Sequence, residues 1–331
     1  VLALLPVGAR TAAGQTSLAA VLEPIGTTSE LADVLLLGTN GQTLTKLNDT
    51  DLPSVTQLVD VNGDNHYELL LARFATLQLI GLGIGDSEYV QEWEYKLDAE
   101  PTAMLVIDLD RDGEEEILVG TRDGRLHSLG ADRTIRWLNA PGDSIAFLTA
   151  VEYSLTHPSR IAVVRRQRLP LDETSETVEA LSWLELREPT GERLWEVEIP
   201  EHVTSLVVES RPGSGNATLL IGTASSYIAA YDLEGNQLWN QTMGQAIGSV
   251  RDMVVLNGVA GSPNSLLVAG NQLISRLSLD NGSILSSNFA VFDSPIEKVF
   301  AVRQPDNEEL AVNVVLFTAD GLVHGLNQQG A

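Results

Sequence analysis

Residues 106–129 read VIDLDRDGEEEILVGTRDGRLHSL. A continuous aliphatic run such as ILV suits a strand covered on both faces, because successive side chains of a strand point to opposite sides. A polar break with an Asp-Gly pair follows, then a second apolar run, which is the signature of a hairpin. The turn before the first run carries Asp108, Asp110, Asp112 and Glu116. The stretch therefore reads strand, acidic turn, buried strand, hairpin, strand.

The same shape recurs along the chain. It begins at Val34 (VLLLGTNGQTLTKL), Glu68 (ELLLARFATLQLIGL), Glu116 (EILVGTRDGRLHSL), Arg160 (RIAVVRRQ, with EALSWLELRE from Glu179), Thr218 (TLLIGTASSYIAAYDL), Ser265 (SLLVAGNQLISRLSL) and Asn313 (NVVLFTADGLVHGL). Measured from Leu35, Leu69, Ile117, Ile161, Leu219, Leu266 and Val314, the offsets are 34, 48, 44, 58, 47 and 48 residues. That spacing suits four-stranded propeller blades of about 40–50 residues. Helices would need apolar residues at i, i+3, i+4 and i+7, and these runs lack that period.

In the third repeat TAMLVIDL is the expected inner strand, EEILVGT the second, GRLHSL the third and TIRWL the outer one. The fourth repeat is lengthened by an insertion at residues 166–179, and the first is short enough that its outer strand is expected to be reduced. The seventh runs out after three strands, whereas VLALLPV at residues 1–7 has no blade of its own. Pairing the two would close the ring and remove two sheet edges. The expectation is an all-β chain, a single seven-bladed β-propeller over residues 1–331 closed by its N-terminal strand.

Composition narrows the functions. Asp and Glu number 45 against 20 Lys and Arg, giving a net charge of −25 that repels phosphate backbones, so nucleic acid is excluded as an expected partner. The chain has no cysteine, which removes disulfides, zinc-thiolate sites and thiol nucleophiles. No apolar run approaches the roughly 18–20 residues of a membrane span, so no direct membrane insertion is expected in this segment. Absence of cysteine does not by itself fix the compartment, but it is common in bacterial exported proteins, and the expectation is an exported chain, extracellular, periplasmic or on a cell surface, within a larger membrane-anchored chain or complex.

In DLDRDGEEE the acidic residues fall at loop positions 1, 3, 5 and 9, with Gly113 at position 6. Hard cations take six to eight oxygens, and alternate residues of a tight turn can aim side chains at one point. Asp108, Asp110, Asp112 and Glu116 would supply side-chain oxygens, and Glu114 its carbonyl. DVNGDNHYE repeats the ladder one blade earlier with Asp60, Asn62, Asp64 and Glu68, the carbonyl of His66, and Asn65 in place of the glycine. The expected cofactor is Ca2+, one or two ions. Ordinary Asp/Asn/Gly turns are the competing explanation.

An apolar inner strand, an Asp-x-Asp/Asn-x-Asp turn and then Glu with an apolar run resembles the FG-GAP repeats of integrin α-chain propellers. That resemblance covers about residues 54–129, and it implies calcium in the two turns just named and in no others. Later repeats, YIAAYDLEGNQLWN and LELREPTGERLWEV, resemble pyrroloquinoline-quinone-like blades, in which an outer-strand Trp docks on the neighbouring blade. Trp93, Trp137, Trp195 and Trp239 lie on expected outer strands and read as packing residues.

The five histidines show no zinc spacing; His127 and His324 hold matching places in third strands and read as structural. The expected function is a non-enzymatic, calcium-braced scaffold binding a protein or glycan partner. Arg165, Arg166 and Arg168, a basic cluster at the insertion, are candidate contacts. The alternatives are a carbohydrate-active enzyme, a lyase or hydrolase working at the central channel, and a structural subunit of a surface or membrane complex.

Overall fold

The computed structural model describes residues 3–6, 17–22, 31–38, 43–51, 54–59, 68–73, 76–81 and 90–330, apart from 141, 168–180, 211–213, 245–246, 259–262, 302–312 and 328. The chain divides into two compact units, residues 1–148 with 189–191, and residues 149–188 with 192–331.

The first unit holds three sheets, each a four-stranded meander. Sheet one is β1 (Ala3–Pro6), β2 (Ser17–Leu22), β3 (Leu31–Gly38) and β4 (Thr43–Asp51). Sheet two is β5 (Val55–Val59), β6 (Glu68–Arg73), β7 (Thr76–Gly81) and β8 (Val90–Lys96), and sheet three is β9 (Pro101–Ile107), β10 (Glu116–Thr121), β11 (Leu126–Gly130) and β12 (Ile135–Leu138). Sheet four begins at the boundary with β13 (Ser144–Val151) and continues through β14 (Arg160–Arg166), β15 (Ser182–Arg187) and β16 (Arg193–Ile199). Sheet five is β17 (Val203–Ser210), β18 (Ala217–Thr223), β19 (Tyr227–Tyr231) and β20 (Gln237–Thr242). Sheet six is β21 (Asp252–Leu256), β22 (Ser265–Ala269), β23 (Leu273–Ser278) and β24 (Ile284–Val291); sheet seven is β25 (Ile296–Ala301), β26 (Val314–Thr318) and β27 (Val323–Leu326).

Two expectations about the ends are corrected. The N-terminal strand does not complete the last sheet: β1 pairs antiparallel with β2, with Ala3 opposite Val21, and sheet seven contains three described strands. The first blade also keeps its outer strand, β4. The run VLLLG at Val34 is a third strand, whereas LLLA at Leu69 is a second strand, and this difference in phase produces the short first offset. One apolar strand resembles another, and nothing local distinguishes second from third.

The runs are continuously apolar because both faces of the middle strands are covered. In β22, Leu266 and Val268 pack with Leu220, Ile228 and Trp239 of sheet five. The intervening Leu267 and Ala269 pack with Val299, Val314 and Leu316 of sheet seven. In the first unit, Leu70 and Leu77 of sheet two meet Ile117, Val119 and Leu129 of sheet three in the same way. Burying one such leucine side chain contributes about 1.5–3 kcal/mol.

The second and third strands β10 and β11 are buried throughout, whereas the first strands β9 and β17 are largely half-buried. First strands meet the first strands of neighbouring sheets, β5 with β9 and β21 with β25. The end of a second strand also comes close to the residues that lead into the next sheet, and glycine stands there. A Cβ at Gly222 would lie 2.5 Å from Val250 Cγ1.

A candidate cation site in the third sheet

The acidic turn of the third repeat joins β9 to β10, and its own carboxylates shape it. Arg111 and Gly113 take left-handed backbone conformations, φ 65° and 94°, which turn the chain back on itself. Asp110 Oδ1 accepts the Asp112 N–H at 3.2 Å, Asp112 Oδ1 the Glu114 N–H at 2.8 Å, and Asp108 Oδ2 the Gly113 N–H at 3.1 Å. Glu116 opens β10 opposite Ile107, and its Oε2 accepts the Leu109 N–H at 2.9 Å. One oxygen of each carboxylate is thus committed to the backbone, and the others remain for a cation.

Asp108, Asp110 and Glu116 each offer an oxygen within 4.8 Å of the others. Asp108 Oδ1 is buried without a hydrogen-bond partner among the described residues. Asp112 stands outside this trio, and the Glu114 side chain is exposed. Burial pushes the Glu116 carboxyl above its usual range, reinforced by Asp110 and Asp112 and opposed by the Leu109 N–H and Arg136. Of the second ladder only Glu68 is described: it opens β6 opposite Val59 and is buried, as Glu116 is. Asp60, Asn62, Asp64 and His66 lie outside the described residues.

Sequence reading missed Arg136. From β12 its guanidinium reaches Glu116 Oε1 at 3.2 Å, Glu114 at 3.6 Å, Asp110 at 3.8 Å and Asp112 at 3.9 Å. A cavity of about 180 Å³ opens beside it, lined by Leu109, Glu116, Ser128, Arg136, Trp137 and Pro189 among others. The signal in the sequence was an Arg next to an outer-strand Trp, opposite an acidic turn.

Three of the outer-strand tryptophans are anchored by hydrogen bonds to the next sheet. Trp195 Nε1–H donates to the Leu233 carbonyl at 2.8 Å and Trp239 Nε1–H to Leu279 at 2.8 Å, each in the turn between third and fourth strands of the next sheet. Trp137 repeats the geometry on Pro189 at 2.7 Å.

The basic cluster at the insertion is engaged within the fold. Arg165 pairs with Glu185 and Glu196, each at 2.5 Å, and lies over the Trp183 ring; Arg166 donates to the Val203 carbonyl at 2.8 Å. Arg168 and most of the insertion at 166–179 lie outside the described residues. His324 contacts Thr318 Oγ1 at 3.1 Å and meets Phe292 edge-on.

His127, on β11, is buried, edge-on to Tyr95, and neither ring nitrogen has a hydrogen-bond partner among the described residues. Burial pushes its pKa below the ordinary 6.5, against the attraction of Asp98 and Asp123. The unfolded imidazole protonates near pH 6.5 while the folded one resists, so acidification through that range favours the unfolded chain. His127→Leu is expected to leave stability at pH 7.5 unchanged or raised by about 1 kcal/mol, because an unsatisfied polar group is removed. Between pH 7.5 and 5.5 its urea midpoint should fall less than that of the wild type; equal falls would show that His127 is not responsible.

Neither a family model nor a curated protein matches the chain. Solved structures do. BBS1N in complex with ARL6DN, from a crystal soaked with lead, superposes with TM-score 0.67 at 14% identity, covering 96% of this chain and 90% of that one. Sqt1 of Saccharomyces cerevisiae gives TM-score 0.67 at 11% identity, covering 95% and 82%. Both are β-propellers. The fold of this chain is a β-propeller. At these identities the likeness carries the fold alone, and it corrects one expectation: these two propellers are intracellular proteins, so the blade pattern does not place a chain outside the cell, and the extracellular or periplasmic assignment is withdrawn. Among the described residues no helix is long and apolar enough to cross a membrane.

Proposed function

We propose that the chain is a non-enzymatic, protein-binding β-propeller of seven blades, one per sheet, whose acidic turn in the third sheet takes calcium. The observation that carries the binding role is the likeness, over nearly the whole chain, to a propeller crystallised with a protein partner, BBS1N with ARL6DN. A propeller gathers loops from several blades on one face, a broad surface that needs no chemistry of its own. The reading is tested by affinity capture of the full chain from its own cells, followed by reconstitution with the purified candidate. A stoichiometric complex of the two pure proteins is expected. Failure of every candidate to rebind, with turnover of a glycan instead, would replace it with the enzymatic reading.

Calcium is supported by the three converging carboxylates and by the buried Asp108 Oδ1, which no donor among the described residues satisfies. Oxygen donors alone are what a hard cation takes. The same turn supports kinship with FG-GAP repeats, and Glu68 stands where a second site would have its last ligand. An ion bound only to the folded chain stabilises it, by about 2.7 kcal/mol at a hundred times Kd. Calcium is expected to raise the thermal midpoint over that in chelator, and Asp108→Ala to remove the rise. An unchanged wild-type midpoint would end the calcium reading.

A further inference from the structure

We propose that Arg136 is a built-in counter-cation of the acidic turn, which a divalent ion must displace to bind, so that this one side chain sets the affinity of the site. The inference rests on the calcium reading above. Four carboxylates share the guanidinium at 3.2–3.9 Å, and two of them, Asp110 and Glu116, belong to the trio that would ligate the ion. Two positive centres cannot share those oxygens: at about 4 Å like charges repel by roughly 4 kcal/mol even at an effective dielectric of 20, and a divalent ion doubles this. Ion and guanidinium therefore exclude one another.

A second observation marks the place as built for an occupant. Ser128 is fully buried, its Oγ has no hydrogen-bond partner among the described residues, and it lines the same cavity as Glu116 and Arg136. A buried hydroxyl left unpaired costs about 1–3 kcal/mol, which a hydrated ion or its water would relieve. The cavity of about 180 Å³ gives Arg136 and the ion's water room to rearrange without repacking the sheet. The turn is thereby held in shape without metal, since Arg136 neutralises part of the ladder, and metal binding becomes an exchange rather than a simple addition.

The test uses the full chain as wild type, Arg136→Met and Arg136→Lys, titrated with calcium by calorimetry and by thermal unfolding in chelator and in calcium. Arg136→Met keeps an unbranched apolar stem beside Trp137. Expected is a calcium affinity raised at least about tenfold in Arg136→Met, with a lower midpoint in chelator and a larger gain on adding calcium; Arg136→Lys should lie between. Equal affinity in wild type and Arg136→Met would overturn the exchange while leaving calcium binding intact. No binding by either protein would overturn both, and a weaker affinity in Arg136→Met would make Arg136 a support of the site instead of its competitor.

Discussion

Glu185→Ala is expected to cost about 3–5 kcal/mol, the cost of breaking a buried ion pair from one side. Glu185 is fully buried on β15, and three guanidinium groups converge on it: Arg165 at 2.5 Å, Arg187 at 2.5 Å and Arg193 at 3.4 Å. The side chains of Arg165 and Arg187 are only 15% and 14% exposed, so removing the carboxylate leaves their charge with little water to solvate it. Burial opposes ionisation of Glu185, but Arg187 and Arg165 outweigh it and hold the carboxyl below its usual range. The stability it contributes is therefore present above the unfolded pKa of about 4.5 and is lost as pH falls through the lower, folded value.

Urea unfolding of Glu185→Ala beside Glu196→Ala checks this. Glu196 binds Arg165 and Arg193 too, but its side chain is 29% exposed, and its loss should cost about 1 kcal/mol or less. Comparable losses in the two variants would mean that burial is not what makes Glu185 matter. Replacing the pair together, as Glu185→Leu with Arg165→Met, should recover much of the stability, because an apolar pair of similar volume needs no desolvation.

This network shows where sequence reading ends. Arg165 and Arg166 read as a rare basic cluster at a loop, either candidate partner contacts or simply solvated. The carboxylate that engages Arg165 lies twenty residues on, across the insertion, and is brought near by the pairing of β14 with β15, in which Val163 faces Glu185. Arg136 was overlooked for the same reason: it meets the acidic turn only because β12 folds back along β11. Elements whose information is local were legible. The strands of the third repeat, the hairpin at Asp123-Gly124 and the convergence of Asp108, Asp110 and Glu116 follow from spacing within a few residues. The phase of the first blade and the partner of β1 depend on which of several similar apolar strands pair, and spacing alone does not encode that choice.

The outer-strand tryptophans lie between these extremes, and they carry the second large prediction. Trp239→Ala is expected to cost about 3–5 kcal/mol. Its ring is 9% exposed within the core shared by sheets five and six, and its Nε1–H holds the Leu279 carbonyl at 2.8 Å. The ring lies on Gly282, which has φ 69°, and a Cβ there would sit 2.4 Å from Trp239 Cε3. Gly235 stands under Trp195 in the same way, at 2.9 Å. In the sequence both glycines precede the next outer strand, so the fifth and sixth repeats each supply a glycine to the Trp before it.

Gly282→Ala should therefore destabilise by two separable effects, a left-handed φ that L residues resist, costing about 1–2 kcal/mol, and a clash with the ring. In a chain already carrying Trp239→Ala the clash disappears while the backbone cost remains. A double-mutant cycle read by denaturant midpoints should then show a coupling of about 0.5–3 kcal/mol, with the double variant more stable than the sum of the singles predicts. Strict additivity would mean that Trp239 and Gly282 do not bear on each other. Seating of one blade's tryptophan on the next blade's glycine would then contribute nothing to holding sheets five and six together.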